Sequence, residues 1–501
     1  MVSAPAVVIA APASGSGKTT IATGLIGALR RAGHTVAPFK VGPDFIDPGY
    51  HGLAAGRPGR NLDPVLVGEQ LIGPLYAHGA GGADIAVVEG VMGLFDGRIG
   101  KALSATGSTA HVAGLLGAPV ILVVDARGQS HSIAALLHGF STFDAATRVS
   151  AVILNRVGSA RHEQVLRQAC ERAGVPVLGA IPRTAELELP TRYLGLVTAV
   201  EYGRRAKAAV GAMTDLVARH VDLAAIVAAA AAGCGSADRP WDPAAAVGET
   251  PGARPTIAMA TGKAFSFGYA EHAELLCAAG AEVAEFDPLV DALPDGTDAV
   301  LLPGGFPEQF TAELSANDVV RRQINELAAA GAPVHAECAG LIYLASELDG
   351  YPMCGVLAGS ARFTPHLTLA YRDAVAVADS PLYSVGQRAV GHEFHRTAVT
   401  FAESYQPAWL YRVHGVDHEK ATVRDGVVHA GVHASYLHTH PAATPAAVAR
   451  FVAHAATARV GVREMTCTSA PLAMSRGNRR WATVPPPTTT TFLPASRSPT
   501  R

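Results

Sequence analysis

Val7-Val-Ile-Ala-Ala-Pro-Ala-Ser-Gly-Ser-Gly-Lys-Thr-Thr20 decides the fold. An apolar strand, Val7–Ala10, runs into a Gly/Ser turn, and a helix over Lys18–Ala32 leaves it. Ile21, Leu25, Ala28 and Leu29 share one face of that helix, and Gly33 stops it. Strand, glycine-rich turn and helix in this order form the context a phosphate-binding loop requires. Gly15 and Gly17 let backbone N–H groups approach phosphates, Lys18 reaches the terminal phosphates, and Thr19 offers a hydroxyl to Mg²⁺. Pro12 stands where the first glycine of the usual loop would be. The bland alternative is a fortuitous turn before an amphipathic helix; the context favours ATP binding.

Outward from this loop, Val36–Phe39, Ile85–Glu89, Val120–Asp125, Val152–Asn155 and Val177–Ile181 also read as strands. They are continuously apolar rather than alternating, as in a parallel sheet covered on both faces. The expected fold is α/β, a P-loop doubly wound parallel sheet over 1–232. A Gly/Pro/Ala-rich stretch, 233–255, reads as a linker. The alternation then restarts: Ile257–Ala260, a helix near Glu271–Ala279, Val283–Phe286, Val300–Leu302, a helix near Asp318–Ala330, and Val334–Glu337. This second α/β domain is expected over 256–458, and 459–501, which ends in VPPPTTTTFLPASRSPTR, is expected to be a disordered tail.

Length and composition agree. The 501 residues exceed one ordinary domain, and 49% apolar residues can fill real cores. A net charge of −2 gives no electrostatic case for nucleic acid or a membrane surface. The runs Val112–Val124, broken by Pro119, and Leu223–Gly233 are too short to span a bilayer, which takes roughly 20 residues. No basic region precedes the apolar N-terminus, so a cytoplasmic protein is expected. The 6 cysteines, at 170, 234, 277, 338, 354 and 467, are too irregular for a disulfide framework and read as reduced thiols.

Two acidic features belong with the phosphate loop. Asp84-Ile-Ala-Val-Val-Glu-Gly90 ends an apolar strand in the carboxylate of Glu89, where ligands bind open α/β sheets. Lys40-Val-Gly-Pro-Asp-Phe-Ile-Asp-Pro48 places a cation and two carboxylates, Asp44 and Asp47, in a stiff loop after another strand. Turn capping is the alternative for the two aspartates, and a solvated strand end for Glu89. Asn155 closes a further strand, where it either reads an adenine amino group or shapes a turn.

The second half carries Val334-His-Ala-Glu-Cys-Ala-Gly-Leu341, a strand running into a small-residue turn with Cys338 at the apex. Such an elbow exposes a sulfur beside a helix N-terminus, which is expected to lower the thiol pKa. Leu301-Leu-Pro-Gly-Gly-Phe-Pro-Glu308 offers two glycine N–H groups for an oxyanion hole, and Ala434-Ser-Tyr-Leu-His-Thr-His440 offers the base. Together they suit thiol catalysis on an amide. A metal reading of His438 and His440 with His429 and His433 lacks the Cys or acid cluster to complete four ligands. Gly391-His-Glu-Phe-His395 is a polar cluster that reads equally well as a structural turn.

PASGSGKTT, KVGPDFIDPGYH, VVEGVMGLFDG, LPGGFPE, AECAGL, GHEFH and ASYLHTH occur in one order. That series closely resembles the cobyrinic or hydrogenobyrinic acid a,c-diamide synthases of cobalamin biosynthesis, over about residues 5–455. The first half resembles the dethiobiotin-synthetase-type P-loop proteins, in which the first loop glycine is commonly replaced. The second half resembles class I glutamine amidotransferases of the cobalamin type, whose Cys–His pair works without the usual third acid. His438 agrees, being followed by Thr439-His440-Pro441.

The resemblance implies a division of labour. Cys338, with His438 as base and the N–H groups of Gly305 and Ala339 as oxyanion hole, would release ammonia from L-glutamine. ATP, held by Gly15, Ser16, Gly17, Lys18, Thr19, Thr20, Lys40 and Asn155, with Mg²⁺ on Thr19, Asp47 and Glu89, would phosphorylate a corrin carboxylate. Asp44 and Asp47 would face the corrinoid. Ammonia arriving through an internal passage would displace the phosphate, on side chains a and c in turn. A homodimer is compatible with the sequence. The nearest alternative is the same chemistry on another tetrapyrrole, cobyric acid or nickel-sirohydrochlorin. A partition-type switch ATPase fits less well, because Ala13 stands where that class carries an extra lysine.

Overall fold

Seven strands become one all-parallel sheet: β1 (Ala6–Ala10), β2 (Val36–Val41), β3 (Arg60–Leu62), β4 (Ile85–Glu89), β5 (Val120–Asp125), β6 (Val149–Val157) and β7 (Val177–Pro182). Their order is β3-β2-β4-β1-β5-β6-β7. β1 lies between β4 and β5, with Val8 opposite Val88 on one side and Val120 on the other. Every residue of β1, β2 and β4 is buried, which is why these segments read as unbroken apolar runs. Helices α1 (Lys18–Arg31) and α2 (Asp47–Ala55) follow β1 and β2, so the carboxyl ends of β1, β2 and β4 open on one crevice. The computed structural model describes residues 4–98, 105–183, 191–192, 195–233, 238–249, 252–414 and 420–465.

The second domain has two sheets. In the first, Thr256–Ala260, Glu282–Phe286, Thr297–Leu302, Val334–Glu337 and Val432–Ser435 run parallel, with Val427–His429 antiparallel at the edge. The second is built on a long antiparallel pair, Leu357–Ala376 with Arg388–Phe401. That pair was not read from the sequence, because its side chains mix buried and exposed positions and carry many charges. The GHEFH cluster lies within its second strand rather than in a turn. His438–Thr439 pairs with Gly391 and His392 of that strand, which ties the two sheets together.

Two boundaries differ from expectation. Within the 233–255 stretch, Asp242 caps a short helix, Pro243–Val247, and Trp241 is buried with its N–H donated to Pro74 O at 2.9 Å. Trp241 thus anchors the described part of this stretch to the first domain. The last helix, Pro445–Met465, crosses the expected break after 458, since nothing in ATARVGVREM interrupts a helix. The rest of the expected tail, 466–501, lies outside the described residues.

The domains share one apolar cluster, in which Phe45, Ile46 and Leu66 join Phe267, Tyr269 and Leu437. Polar contacts rim it. Arg60 pairs with Glu271 at 2.6 Å and with Glu274, and His78 Nε2 lies 3.0 Å from Glu274. Tyr371 donates to Asp63 at 2.8 Å, while Asp63 also caps the helix Pro64–Val67. Among the described residues no helix is long and apolar enough to cross a membrane.

Candidate active site

The phosphate loop leaves β1 with Gly15 at φ 78° and Gly17 at φ 96°, backbone conformations that side chains resist. A Cβ on Gly17 would lie 2.3 Å from Asn155 Nδ2, so a larger residue there would also displace that side chain. Asn155 reaches this loop: its Nδ2 donates to Ser16 O at 2.9 Å and its Oδ1 accepts from Arg156 N at 3.0 Å. Lys18 donates to Met92 O at 2.5 Å, and Thr19 and Thr20 open α1.

The acids read from separate segments converge here. Thr19 Oγ1 donates to Glu89 Oε1 at 2.7 Å and lies 3.3 Å from Asp47 Oδ2. Lys40 Nζ bridges the same two carboxylates, at 2.6 Å to Asp47 and 2.9 Å to Glu89. Burial alone would lower the Lys40 pKa, but Asp47 and Glu89 hold it above its ordinary value. Burial likewise opposes ionisation of Glu89, yet Lys40 and His51 hold it well below the usual carboxylate range. Asp47 moves the other way, raised by burial and by the charge of Asp44. His51 was missed: its Nε2 lies 2.7 Å from Glu89 Oε2, fully buried in α2. Asp44 does cap the turn, with Oδ1 accepting from Ile46 N and Asp47 N at 2.7 and 3.2 Å. Asn61 pins the same loop through Gly42 O and Asp44 O.

The oxygens of Thr19, Asp47 and Glu89 therefore gather within hydrogen-bond reach around one hydroxyl. Hard oxygen donors, two of them carboxylates, suit Mg²⁺, which keeps waters and phosphate oxygens as its other ligands.

The second centre is the elbow. Cys338 sits at φ 50°, ψ −97°, between the strand Val334–Glu337 and the helix Ala339–Leu344. Its N–H donates to Ser435 O at 2.8 Å. The backbone N–H groups of Ala339 and Gly305 are directed at its sulfur. They lower the thiol pKa only in part, since burial first and then Glu308 push it above its ordinary value. The expected lowering is thus reversed: the elbow is enclosed, with Cys338 only 2% exposed. Glu308, Phe306, Phe394 and Arg396 line the cleft over the sulfur.

His438 is wholly buried and stacks on His392 with ring centroids 5.0 Å apart. A Cβ on Gly304 would lie 2.3 Å from His438 Cε1, so the turn that presents Gly305 to the sulfur also presses on this imidazole. A carboxylate stands beside it. Glu337 Oε2 lies 3.7 Å from His438 Nδ1, an ion-pair distance rather than a hydrogen bond. Thr439 N and Oγ1 both donate to Glu337 Oε1 at 3.1 Å and fix the carboxylate. Burial would raise the Glu337 pKa, but His335 and His438 hold it well below the carboxylate range. Its signal was its place at the end of a buried strand, as for Glu89. The other histidines of the metal alternative scatter, with His433 Nδ1 3.1 Å from Ser380 Oγ and His440 accepting from Ala442 N. Among the described residues no group of three or more His, Cys, Asp or Glu side chains could hold a metal ion.

A phosphate loop with an acid cluster in one domain, and a cysteine elbow in the other, define a nucleotide-binding domain fused to an amidotransferase domain. Residues 7–196 match the family described as the CobQ/CobB/MinD/ParA nucleotide binding domain, and 256–446 the CobB/CobQ-like glutamine amidotransferase domain. The chain belongs to the family of hydrogenobyrinate and cobyrinate a,c-diamide synthases. It is 81% identical to a hydrogenobyrinate a,c-diamide synthase of Mycobacterium tuberculosis, over 90% of this chain and 98% of that one. Identity to the hydrogenobyrinate a,c-diamide synthase of Streptomyces coelicolor is 53%, over 89% and 97% of the two chains. A cobyrinate a,c-diamide synthase of Gloeobacter violaceus is 40% identical, over 89% and 96%.

Proposed function

We propose that the chain converts the a and c side-chain carboxylates of hydrogenobyrinate to amides, using ATP and glutamine-derived ammonia. The single observation that carries this reading is the pairing, in one chain, of the Thr19–Asp47–Glu89 cluster with the Cys338 sulfur facing two N–H donors. The cobalt-free substrate is favoured because the relatives at 81% and 53% identity bear its name, whereas the cobyrinate synthases stand at 38–40%.

The chemistry needs both centres. A free carboxylate is too poor an electrophile for ammonia, so ATP must first place a phosphoryl group on it. Gly15–Thr20 cradle the phosphates, and Lys18 and Lys40 balance their charge. Thr19, Asp47 and Glu89 would hold Mg²⁺, which when bound neutralises charge on the transferring phosphoryl group. Asp44 and Asp47 face the corrinoid side of the loop.

In the other domain Cys338 attacks the glutamine side-chain amide. His438 takes the thiol proton and returns it to the leaving nitrogen, while Ala339 and Gly305 hold the oxyanion. A raised thiol pKa suits this route, because the resting thiol needs a base. Glu308 and Arg396 line the same cleft. Water then hydrolyses the thioester to glutamate, and ammonia displaces phosphate from the acyl phosphate.

The test is mass spectrometry of the purified chain with ATP, Mg²⁺, glutamine and a panel of corrinoids. Two successive acid-to-amide changes on hydrogenobyrinate are expected, with cobyrinate turned over more slowly; amidation of cobyrinate alone would overturn the substrate assignment. Cys338→Ala is expected to abolish glutamine-dependent amidation and keep the ammonia-dependent reaction. Lys18→Ala is expected to lose both.

A further inference from the structure

One loop touches both centres. The segment 40–47, from the end of β2 to the start of α2, is tied at its ends on the phosphate side by the Lys40–Asp47 ion pair and pinned between them by Asn61. Its apex residue, Phe45, turns away from that side and crosses the domain boundary. There its ring stacks on Phe267 at 5.0 Å and 8°, and packs at 4.8 Å from Tyr269, 5.4 Å from His392 and 5.3 Å from His438. Phe267 continues the wall. It donates its N–H to Gly304 O at 3.0 Å, and its ring packs on Phe306 and Phe394 of the Cys338 cleft. From sulfur to acid cluster the order is therefore Phe306 and Phe394, Phe267, Phe45, Asp47.

Taking the two centres as assigned above, we propose that Phe45 couples the two half-reactions. Its ring is the partition between the His438 side and the Asp47 side, and ammonia crosses when the loop that carries it shifts with ligand at Asp44 and Asp47. The geometry suits that role in three ways. Phe45 lies two residues from Asp47, so a displacement at the phosphate side reaches the ring without an intervening element. It packs directly on the imidazole that serves as base, so the same displacement changes the surroundings of His438. Its ring neighbours are Phe267, Tyr269 and the imidazoles of His392 and His438, and His440 lies behind Tyr269 at 4.2 Å. Burial lowers the pKa of His392 and His440, which disfavours the imidazolium that would protonate ammonia to unreactive ammonium.

The test compares Phe45→Ala and Phe45→Leu with the unchanged full chain. With ATP, Mg²⁺, glutamine and hydrogenobyrinate, glutamate released per amide formed is measured alongside ammonia-dependent amidation. A partition predicts that Phe45→Ala raises the glutamate-to-amide ratio several-fold while ammonia-dependent amidation persists, with Phe45→Leu between the two. An unchanged ratio in Phe45→Ala overturns the proposal. So does parallel loss of ammonia- and glutamine-dependent amidation, which would make Phe45 a prop for Asp47. If the alanine chain does not fold, the ratio in Phe45→Leu decides, since leucine keeps apolar volume without the flat ring. Cys338→Ala separates the failures: glutamine-dependent amidation surviving that change would overturn the assignment of the centres rather than the partition.

Discussion

At Glu337 the carboxylate has nowhere to go. Two donors of Thr439 hold one oxygen, and the other faces His438 Nδ1 at 3.7 Å. In the proposed mechanism a carboxylate in that place would orient the imidazole and stabilise the imidazolium formed when Cys338 gives up its proton. Glu337→Gln is therefore expected to lower glutamine-dependent turnover by about 10²-fold, the usual scale for impaired general-base catalysis, with ammonia-dependent amidation retained. Steady-state glutaminase kinetics check it, and an unchanged kcat would show that the pair works without an acid. Asn155 gives a second prediction at this scale. Because its amide braces the phosphate loop through Ser16, Asn155→Ala should weaken ATP and GTP alike. Selective loss of ATP binding in equilibrium dialysis would show a base-reading role instead.

The turn after the strand Thr297–Leu302 shows how an element can serve two groups at once. Gly305 directs its N–H to the Cys338 sulfur, and Gly304 presses on His438 with no room for a Cβ. Gly304→Ala must displace the imidazole, so glutaminase activity should fall by about 10²-fold or more while ammonia-dependent amidation persists. Loss of both activities would mean that the turn supports the fold rather than the base. Such double use also explains what could be read from the sequence. The parallel strands and the motifs at their carboxyl ends were legible, because buried strands are continuous and their ends are short and distinctive. Glu337 was overlooked because its partner lies 101 positions later in the chain, and no local pattern pairs them. His51 and Phe45 were invisible for the same reason, since each acts through contacts made by another element. The long hairpin Leu357–Ala376 with Arg388–Phe401 carried no clean period, as one face is shared between sheet and solvent.

The whole molecule depends on how firmly the two domains are held, because ammonia made in one is used in the other. Arg60 bears much of that duty, reaching from β3 to Glu271 and Glu274 with its side chain 11% exposed. Removing it strands two carboxylates, one of them almost fully buried, a change that typically costs about 3 kcal/mol. Glu274 adds a pH dependence. Burial opposes its charge, but His78 and Arg60 pull its pKa down to about 2. A folded-state value below the unfolded value of 4.5 means the stabilisation is complete above that pH. It is lost progressively as the pH falls from 4.5 towards 2. Glu274→Gln should therefore lower the Tm near neutral pH, and the gap from the unchanged chain should close as the solution is acidified through that window. Differential scanning calorimetry across the range checks it; a gap independent of pH would show that Glu274 contributes through packing alone. With the interface loosened, Arg60→Ala should also leak ammonia, so that glutamate outruns amide although neither Cys338 nor the phosphate loop has been touched. That variant and the Phe45 variants report on one quantity from opposite directions, since Arg60 holds the domains together and Phe45 closes the space between them.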